Sequence, residues 1–500
     1  MPDCWLRWSK KQIACWDDHM SDIEETGASW SELLTLQYLP KLATLAIALW
    51  LHAANSMLTA TTMPSAIEEI GGLHLISWTF ALYLAGSIAA ASSISMVVAR
   101  LGVRKSMIRS AIVFTIGCVI VATAPSMPVL LIGRVLQGLG GGALIALVYI
   151  SQARFFPNRF LPRTIGFLSM VWMLSAFTGP SIGGAFATIG EWRLAYWIFA
   201  VQGLLLIPAV HLLLKGGDSS GPIVEQSIPV VRILLLTMAI LLFSLSAASY
   251  DPLWSPMLVL LGCATLFLFV LRDKQATESP ILPKQATDLH HSIGNGILAT
   301  FLLCLCIMSF LVYGPFILIN LYGLSPFQAG LVVMVETIAW GSAAIMFSGL
   351  DSKFEPRLIR CGSVMVVTGI IAIAFTLPAG NITALVVAVV VCNAGFGMMW
   401  GFIIKRIVGA ASALDKDRSA SMMPITQQTG FALGAALSGL IANGLGLSAD
   451  ASHTELQRVA FWLFAGFVPV AVLGGIMAWR FVAFKQPIQA AATAESGVPT

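Results

Sequence analysis

Again and again the chain runs for about 20 residues with scarcely a charge, the length that carries a helix across the roughly 30 Å hydrocarbon layer of a bilayer. Such segments lie at 43–66, 77–98, 107–124, 128–152, 163–188, 194–214, 229–249, 255–271, 293–320, 327–349, 358–377, 383–406, 420–445 and 458–482. Lipid offers no water to backbone N–H and C=O groups, so each crossing segment must be a helix that satisfies its own backbone. The pattern predicts an all-α membrane protein with fourteen transmembrane helices. Composition agrees that the solvent is lipid. Of 500 residues, 57% are hydrophobic and 10% are charged, against about 25% charged in soluble domains. The net charge of +4 then marks topology and not nucleic-acid binding.

Lysine and arginine gather on the cytoplasmic side of membrane proteins. With the amino terminus inside, 25 of the 28 basic residues fall on that side. Arg193 and Arg458 fall outside, and Arg134 lies within a segment. Both termini are therefore expected in the cytoplasm, with the chain a multi-pass protein of the cytoplasmic or inner membrane. The loop "ARLGVRKSM" after the second segment and "SKFEPRLIR" after the tenth share a basic–turn–basic pattern, eight segments apart. A duplicated six-helix unit with two helices inserted gives that offset, and repeated halves commonly build a transporter's central site. The expected organisation is a tail at 1–42, a six-helix bundle at 43–214, an inserted helix pair with linkers at 215–292, a second six-helix bundle at 293–482, and a disordered tail at 483–500.

Eight cysteines show neither metal-ligand spacing nor a disulfide framework. There is no P-loop, and polar catalytic groups do not cluster within the segments. No metal, no cofactor and no enzymatic activity are expected.

Single residues carry the functional reading. An arginine inside a span costs about 2.5–3.5 kcal/mol on insertion scales, so Arg134 should face a wet cavity or find a partner. A structural arginine bonded to carbonyls of the first span is the alternative. Arg134, Gln137, Gly138 and Gly141 share one helical face. "GPSIGG" contributes Gly179, Pro180, Gly183 and Gly184, a kinked strip of small residues suited to a hinge or a tight helix contact. Glu336 lies mid-span in "LVVMVETIAW". It is a candidate proton carrier, or else a neutral acid bonded to a neighbour. His52 and Asn55 share a face of the first span. Histidine changes charge near neutral pH, which makes His52 a second candidate and Asn55 a polar cavity residue. Trp340 and Trp400 are candidates for lining a pocket tolerant of apolar cations.

Taken together, these stretches resemble the major facilitator superfamily, and within it the fourteen-span drug:proton antiporter group. "RVLQGLGGGA" is similar to the family's arginine motif, "GPSIGG" to its antiporter motif and "ARLGVRKSM" to its cytoplasmic gating motif. "NSMLTATTMP", "EWR" and "QQTGFALG" resemble further family stretches. The chain departs from the pattern where Asn55 and Ala99 stand in place of acids and Ser95 in place of a glycine. The resemblance implies two bundles rocking about a midplane cavity, with Arg134 coupling proton and substrate sites and "GPSIGG" limiting leak. Arg100, Arg104 and Lys105 would form an interdomain latch beside the gating-motif Gly102, the alternative being that these charges set topology alone. It implies proton-driven export of small amphipathic or drug-like compounds, powered by the proton gradient, by a protein functional as a monomer in the bilayer. A metabolite or siderophore carrier, an uncoupled uniporter or lipid translocator, and a transporter-like sensor are the alternatives.

Overall fold

A computed structural model describes residues 30–157, 160–214, 229–248, 251, 253–276, 281–283, 285–348, 350, 352–410, 416–448 and 450–484. Residues 1–29 of the expected tail at 1–42, residues 485–500 of the expected tail at 483–500, the linker at 215–228 and the topology residues Arg159 and Lys284 lie outside the described residues. The helices are α1 Trp30–Leu33, α2 Leu39–Ile70, α3 Ile76–Ala122, α4 Met127–Phe155, α5 Leu161–Thr188, α6 Trp192–Leu213, α7 Val230–Ala248, α8 Trp254–Lys274, α9 Ser292–Tyr322, α10 Pro326–Ser348, α11 Glu355–Thr376, α12 Ile382–Ala410, α13 Lys416–Gly444, α14 His453–Ala465 and α15 Val468–Ala483.

Local chemistry sets the helix ends. Proline opens α2, α4, α5, α11 and α15, where its missing N–H would have no helical partner anyway. Ser452 and Glu455 form a reciprocal capping box at the start of α14. Within α3, Gly102 has φ 77° and ψ 165°, a backbone region that only glycine occupies without strain. Two candidate spans, Leu73–Ile94 and Met96–Ala122, run through α3, and Gly102 lies near the start of the second.

Among the described residues, twelve helical stretches are long and apolar enough to cross a membrane, α14 and α15 together making one of them. The fifth and thirteenth segments read from the sequence are also helices, α5 and α13, but they are not among the twelve. α5 packs on α2 and α10, and α13 packs on α9 and α3. Small and polar residues, "TGPSIGG" in α5 and "TQQTG" in α13, lower the mean hydropathy of both helices.

Two groups of helices repeat one set of neighbours. In the first, α2 packs on α5 and α6, while α3 packs on α4 and α6. In the second, α9 packs on α13 and α15, while α10 and α11 pack on α12, and α11 on α15. Between them in sequence, α7 and α8 form a hairpin whose α7 lies against both α3 and α13. A buried ion pair, Arg232 Nη1 to Asp273 Oδ1 at 2.9 Å, closes this hairpin. Asp273 also accepts the N–H groups of Ile281 and Leu282 at 2.8 and 2.7 Å.

At the end of the molecule remote from Gly102, Glu69 accepts hydrogen bonds from Trp192 Nε1 at 2.8 Å and from Arg193. Arg193 also donates to Ala124 O at 2.9 Å. The "EWR" stretch thus ties together α2, α3 and α6. The two groups meet at this same end. Phe327 N–H donates to Thr188 Oγ1 at 3.2 Å, and Asn443 Nδ2 to His74 O at 2.8 Å. Deeper in, Ser87 Oγ donates to Gln428 Oε1 at 3.1 Å, and Met173 approaches Gly341. At about 1.5 Å per helical residue, contact from Pro326 to Gly341 runs roughly 22 Å. Further toward the Gly102 end, Met170 and Met346 are exposed, and Gly166 and Gly401 have open space beside them.

Candidate functional site

The glycines of "GRVLQGLGGGAL" bring α4 into backbone contact with both arms of α3. A Cβ on Gly138 would collide with Tyr83 O, and one on Gly142 with Ser87 O. On the other arm, a Cβ on Gly140 would meet the backbone of Phe114, and Gly117 would meet Gln137 N at 2.6 Å. Close approach places Arg134 in the middle of the first helix group, where it is fully buried.

The guanidinium finds neutral partners. Nε donates to Thr79 O at 2.9 Å, and Nη1 donates to Asn55 Oδ1 at 3.0 Å and to Gln137 Oε1 at 2.7 Å. The backbone carbonyl it uses thus belongs to α3, and from the first span it takes the Asn55 side chain. The Tyr83 ring lies 4.3 Å from Cζ, within the range of a cation–π contact. Nη2 has no hydrogen-bond partner among the described residues, and neither does Asn55 Nδ2. Gln137 Nε2 in turn donates to Cys118 Sγ at 3.2 Å.

Tyr83 also joins Arg134 to His52. Its hydroxyl lies 2.9 Å from His52 Nδ1 and 3.0 Å from His52 O. The opposite wall is Gly141, whose Cβ would sit 2.8 Å from His52 Nδ1. His52, Asn55, Arg134 and Gln137 therefore form one buried cluster, stitched together by Tyr83 and Thr79. Sequence reading missed those two residues. A lone tyrosine among apolar residues, as in "FALYLAG", was the available signal, because a buried phenol needs a partner.

The second helix group holds the other candidates. Glu336 on α10 is buried, and its Oε2 has no hydrogen-bond partner among the described residues. Trp340, one turn on, meets Phe396 edge-on with ring centroids 5.6 Å apart, and Phe396 stacks on Trp400 at 5.6 Å. Phe396 is the residue that sequence reading did not single out. The four residues expected to line a cavity are thus divided. Asn55 and Gln137 are sealed around Arg134, whereas Trp340 and Trp400 are half-buried on α10 and α12.

The "GPSIGG" strip faces two helices. A Cβ on Gly179 would lie 2.7 Å from Ala54 O, and one on Gly184 would lie 2.8 Å from Phe327 Cα. A Cβ on Gly183 would lie 2.8 Å from Leu58 O. Pro180 O accepts from Thr61 Oγ1 at 3.2 Å. The strip packs α5 against α2 on one side and against α10 of the other group on the other. At the opposite end, Ser106 Oγ donates to Gly102 O at 2.7 Å, holding the break in α3. Arg100 and Lys105 flank it on the surface, with Arg104 half-buried.

Residues 45–423 match the family model described as Major Facilitator Superfamily. The chain belongs to this superfamily. Its relatives within the superfamily include a protein of Mycobacterium tuberculosis named as a probable multidrug-efflux transporter, 28% identical over 472 residues, which cover 91% of this chain and 97% of the relative. The multidrug efflux pump SdrM of Staphylococcus aureus is 23% identical over 452 residues, covering 88% and 96%. Among solved superfamily-like folds, a D-xylose-proton symporter aligns with TM-score 0.64 at 14% identity, over 89% of this chain and 97% of its own. A POT family transporter in complex with 5-aminolevulinic acid aligns with TM-score 0.66 at 12% identity, over 88% and 96%. The chain is a multi-pass integral membrane transporter of a small molecule, and not an enzyme.

Proposed function

We propose that this transporter exports small amphipathic, drug-like compounds by alternating access, driven by the proton gradient, as a fourteen-span drug:proton antiporter. In this reading α5 and α13 also cross the bilayer, the two helix groups are the duplicated halves, and both termini are cytoplasmic. The protein works as a monomer in the cytoplasmic or inner membrane and needs no bound cofactor. The export direction draws support from relatives named as multidrug efflux proteins over nearly their whole length.

One observation carries the coupling. Glu336 presents a buried carboxyl oxygen with no described partner on α10, the same helix that meets α5 of the other group. A proton taken up or released there changes the charge on a helix that joins the two groups. Either ligand can shift the balance of facing states only by its differential affinity for them. Latching by Arg100, Arg104 and Lys105 at the opposite end, with Gly102 as the gating hinge, belongs to the same proposal. A second reading, an uncoupled carrier, draws on the neutral surroundings of Arg134 and on Asn55 and Ala99 in acid positions.

Full-length protein in liposomes, with a pH dye inside and ethidium as substrate, separates the two. Coupled export gives ethidium-dependent proton flux that disappears in Glu336→Gln and survives in His52→Ala. Ethidium movement without proton flux establishes the uncoupled carrier, and no movement under any gradient overturns the export reading.

A further inference from the structure

On the outer face of the second helix group, α11 and α15 leave a groove of about 360 Å³ between them. Val364, Val367, Thr368, Val472, Gly475 and Ile476 form its trough. The hydroxyls there turn back onto their own helices: Ser363 Oγ donates to Arg360 O at 2.8 Å, and Thr368 Oγ1 to Val364 O at 2.9 Å. The wall that remains is hydrocarbon. Gly475 creates the trough by lacking a side chain. A Cβ there would meet only Val367 Cγ2, at the ordinary contact distance of 3.4 Å.

Charge is confined to one mouth. Arg480 lines the groove, and Arg360 lies with Cζ 5.7 Å from the centroid of Trp479, another lining residue. Arg360 is near the start of α11 and Arg480 near the end of α15, so the two packed helices bring both to the same end. Arg480 Nη2 donates to Leu289 O at 3.5 Å, a weak bond that leaves its other donors uncommitted to it. The nearest carboxylate in sequence to that contact, Asp288, accepts from His290 N–H at 2.9 Å. A tryptophan at such a mouth matches the aromatic belt of membrane proteins. Basic pockets between membrane helices on the cytoplasmic side suit anionic lipid headgroups.

We propose that this groove binds an anionic phospholipid, one acyl chain lying along Val364, Val367, Gly475 and Ile476 and the phosphate pairing with Arg360 and Arg480. Neutral lipid lacks the pairing at the mouth and would occupy the trough less.

The test uses the full chain in nanodiscs of phosphatidylcholine containing a minor fraction of phosphatidylglycerol with a photoactivatable acyl chain. Irradiation should label peptides spanning 364–368 and 472–479, whereas the same photoactivatable chain on phosphatidylcholine labels them weakly. At about 1 kcal/mol per basic residue, each of Arg360→Gln and Arg480→Gln should cut labelling about fivefold. Gly475→Leu fills the trough and should abolish labelling with both arginines intact, while Arg357→Gln, outside the groove, should leave it unchanged. Equal labelling by the two lipids, indifference to both arginine substitutions, or displacement by ethidium or by soluble glycerol phosphate would overturn the proposal. The arginine variants keep the test decisive even if Gly475→Leu fails to assemble.

Discussion

At the scale of single residues, the environment of Arg134 is unusual in what it lacks. A fully buried guanidinium bonds to an amide, a second amide, a carbonyl and a ring face, without a carboxylate among the described contacts. Its desolvation is already incurred. A carboxylate at Asn55, whose Oδ1 lies 3.0 Å from Nη1, would therefore face a charge already in place. Asn55→Asp should stabilise the protein by about 1–3 kcal/mol through a charge-assisted bond, read as a raised midpoint of thermal unfolding in detergent. A lowered midpoint would show that desolving the new carboxylate costs more. Arg134→Lys should leave the protein inserted and monodisperse but without transport, because one ammonium cannot span Thr79, Asn55 and Gln137 as a planar fork does. The sequence made this cluster half legible. Arg134, Gln137, Asn55 and His52 announce themselves as polar groups in apolar runs. Thr79 contributes a backbone carbonyl, which no sequence displays, and Tyr83 joins only because α3 crosses α4 at that point.

At the scale of helices, glycine spacing decides how closely spans approach. Gly138→Ala would drive a methyl group into the carbonyl of Tyr83, whereas Gly166 has nothing within 4 Å of its would-be Cβ. The first substitution should destabilise by about 1–3 kcal/mol, as overpacking does. Gly166→Ala should be neutral or slightly stabilising, and thermal unfolding compares the two. In the α7–α8 hairpin, Arg232→Gln removes the ionic partner of buried Asp273. Losing one member of a buried pair costs about 3–5 kcal/mol. Limited trypsin digestion should therefore cut after Lys274 in this variant well before it cuts the parent chain. Helix positions were the most readable layer of the molecule, because lipid forces every span to write its length in apolar residues. That rule loosens for α5 and α13. Both are seen as helices where the sequence placed them, with small and polar side chains interspersed among the apolar ones.

At the scale of the whole molecule, the two helix groups touch over the end that holds Thr188, Phe327, His74 and Asn443. Cysteines introduced together at Thr188 and Phe327 should form a disulfide on oxidation, arrest substrate movement, and release it on reduction. Persistent transport in the oxidised pair would show that this end does not separate during the cycle. Two similar loops eight segments apart led to an expected duplication, and the neighbour order of the two groups is a separate observation; the place of the α7–α8 hairpin was not legible, since nothing in an apolar hairpin names the surface it will lie on. That place has a mechanical outcome. Asn443 holds both His74 O of the first group and Ala247 O at the end of α7, so α7 leans on two bodies at once. If those bodies part, the hairpin must travel with one and slide along the other, which makes a fluorophore on its exposed Trp254 turn a bystander that registers their separation.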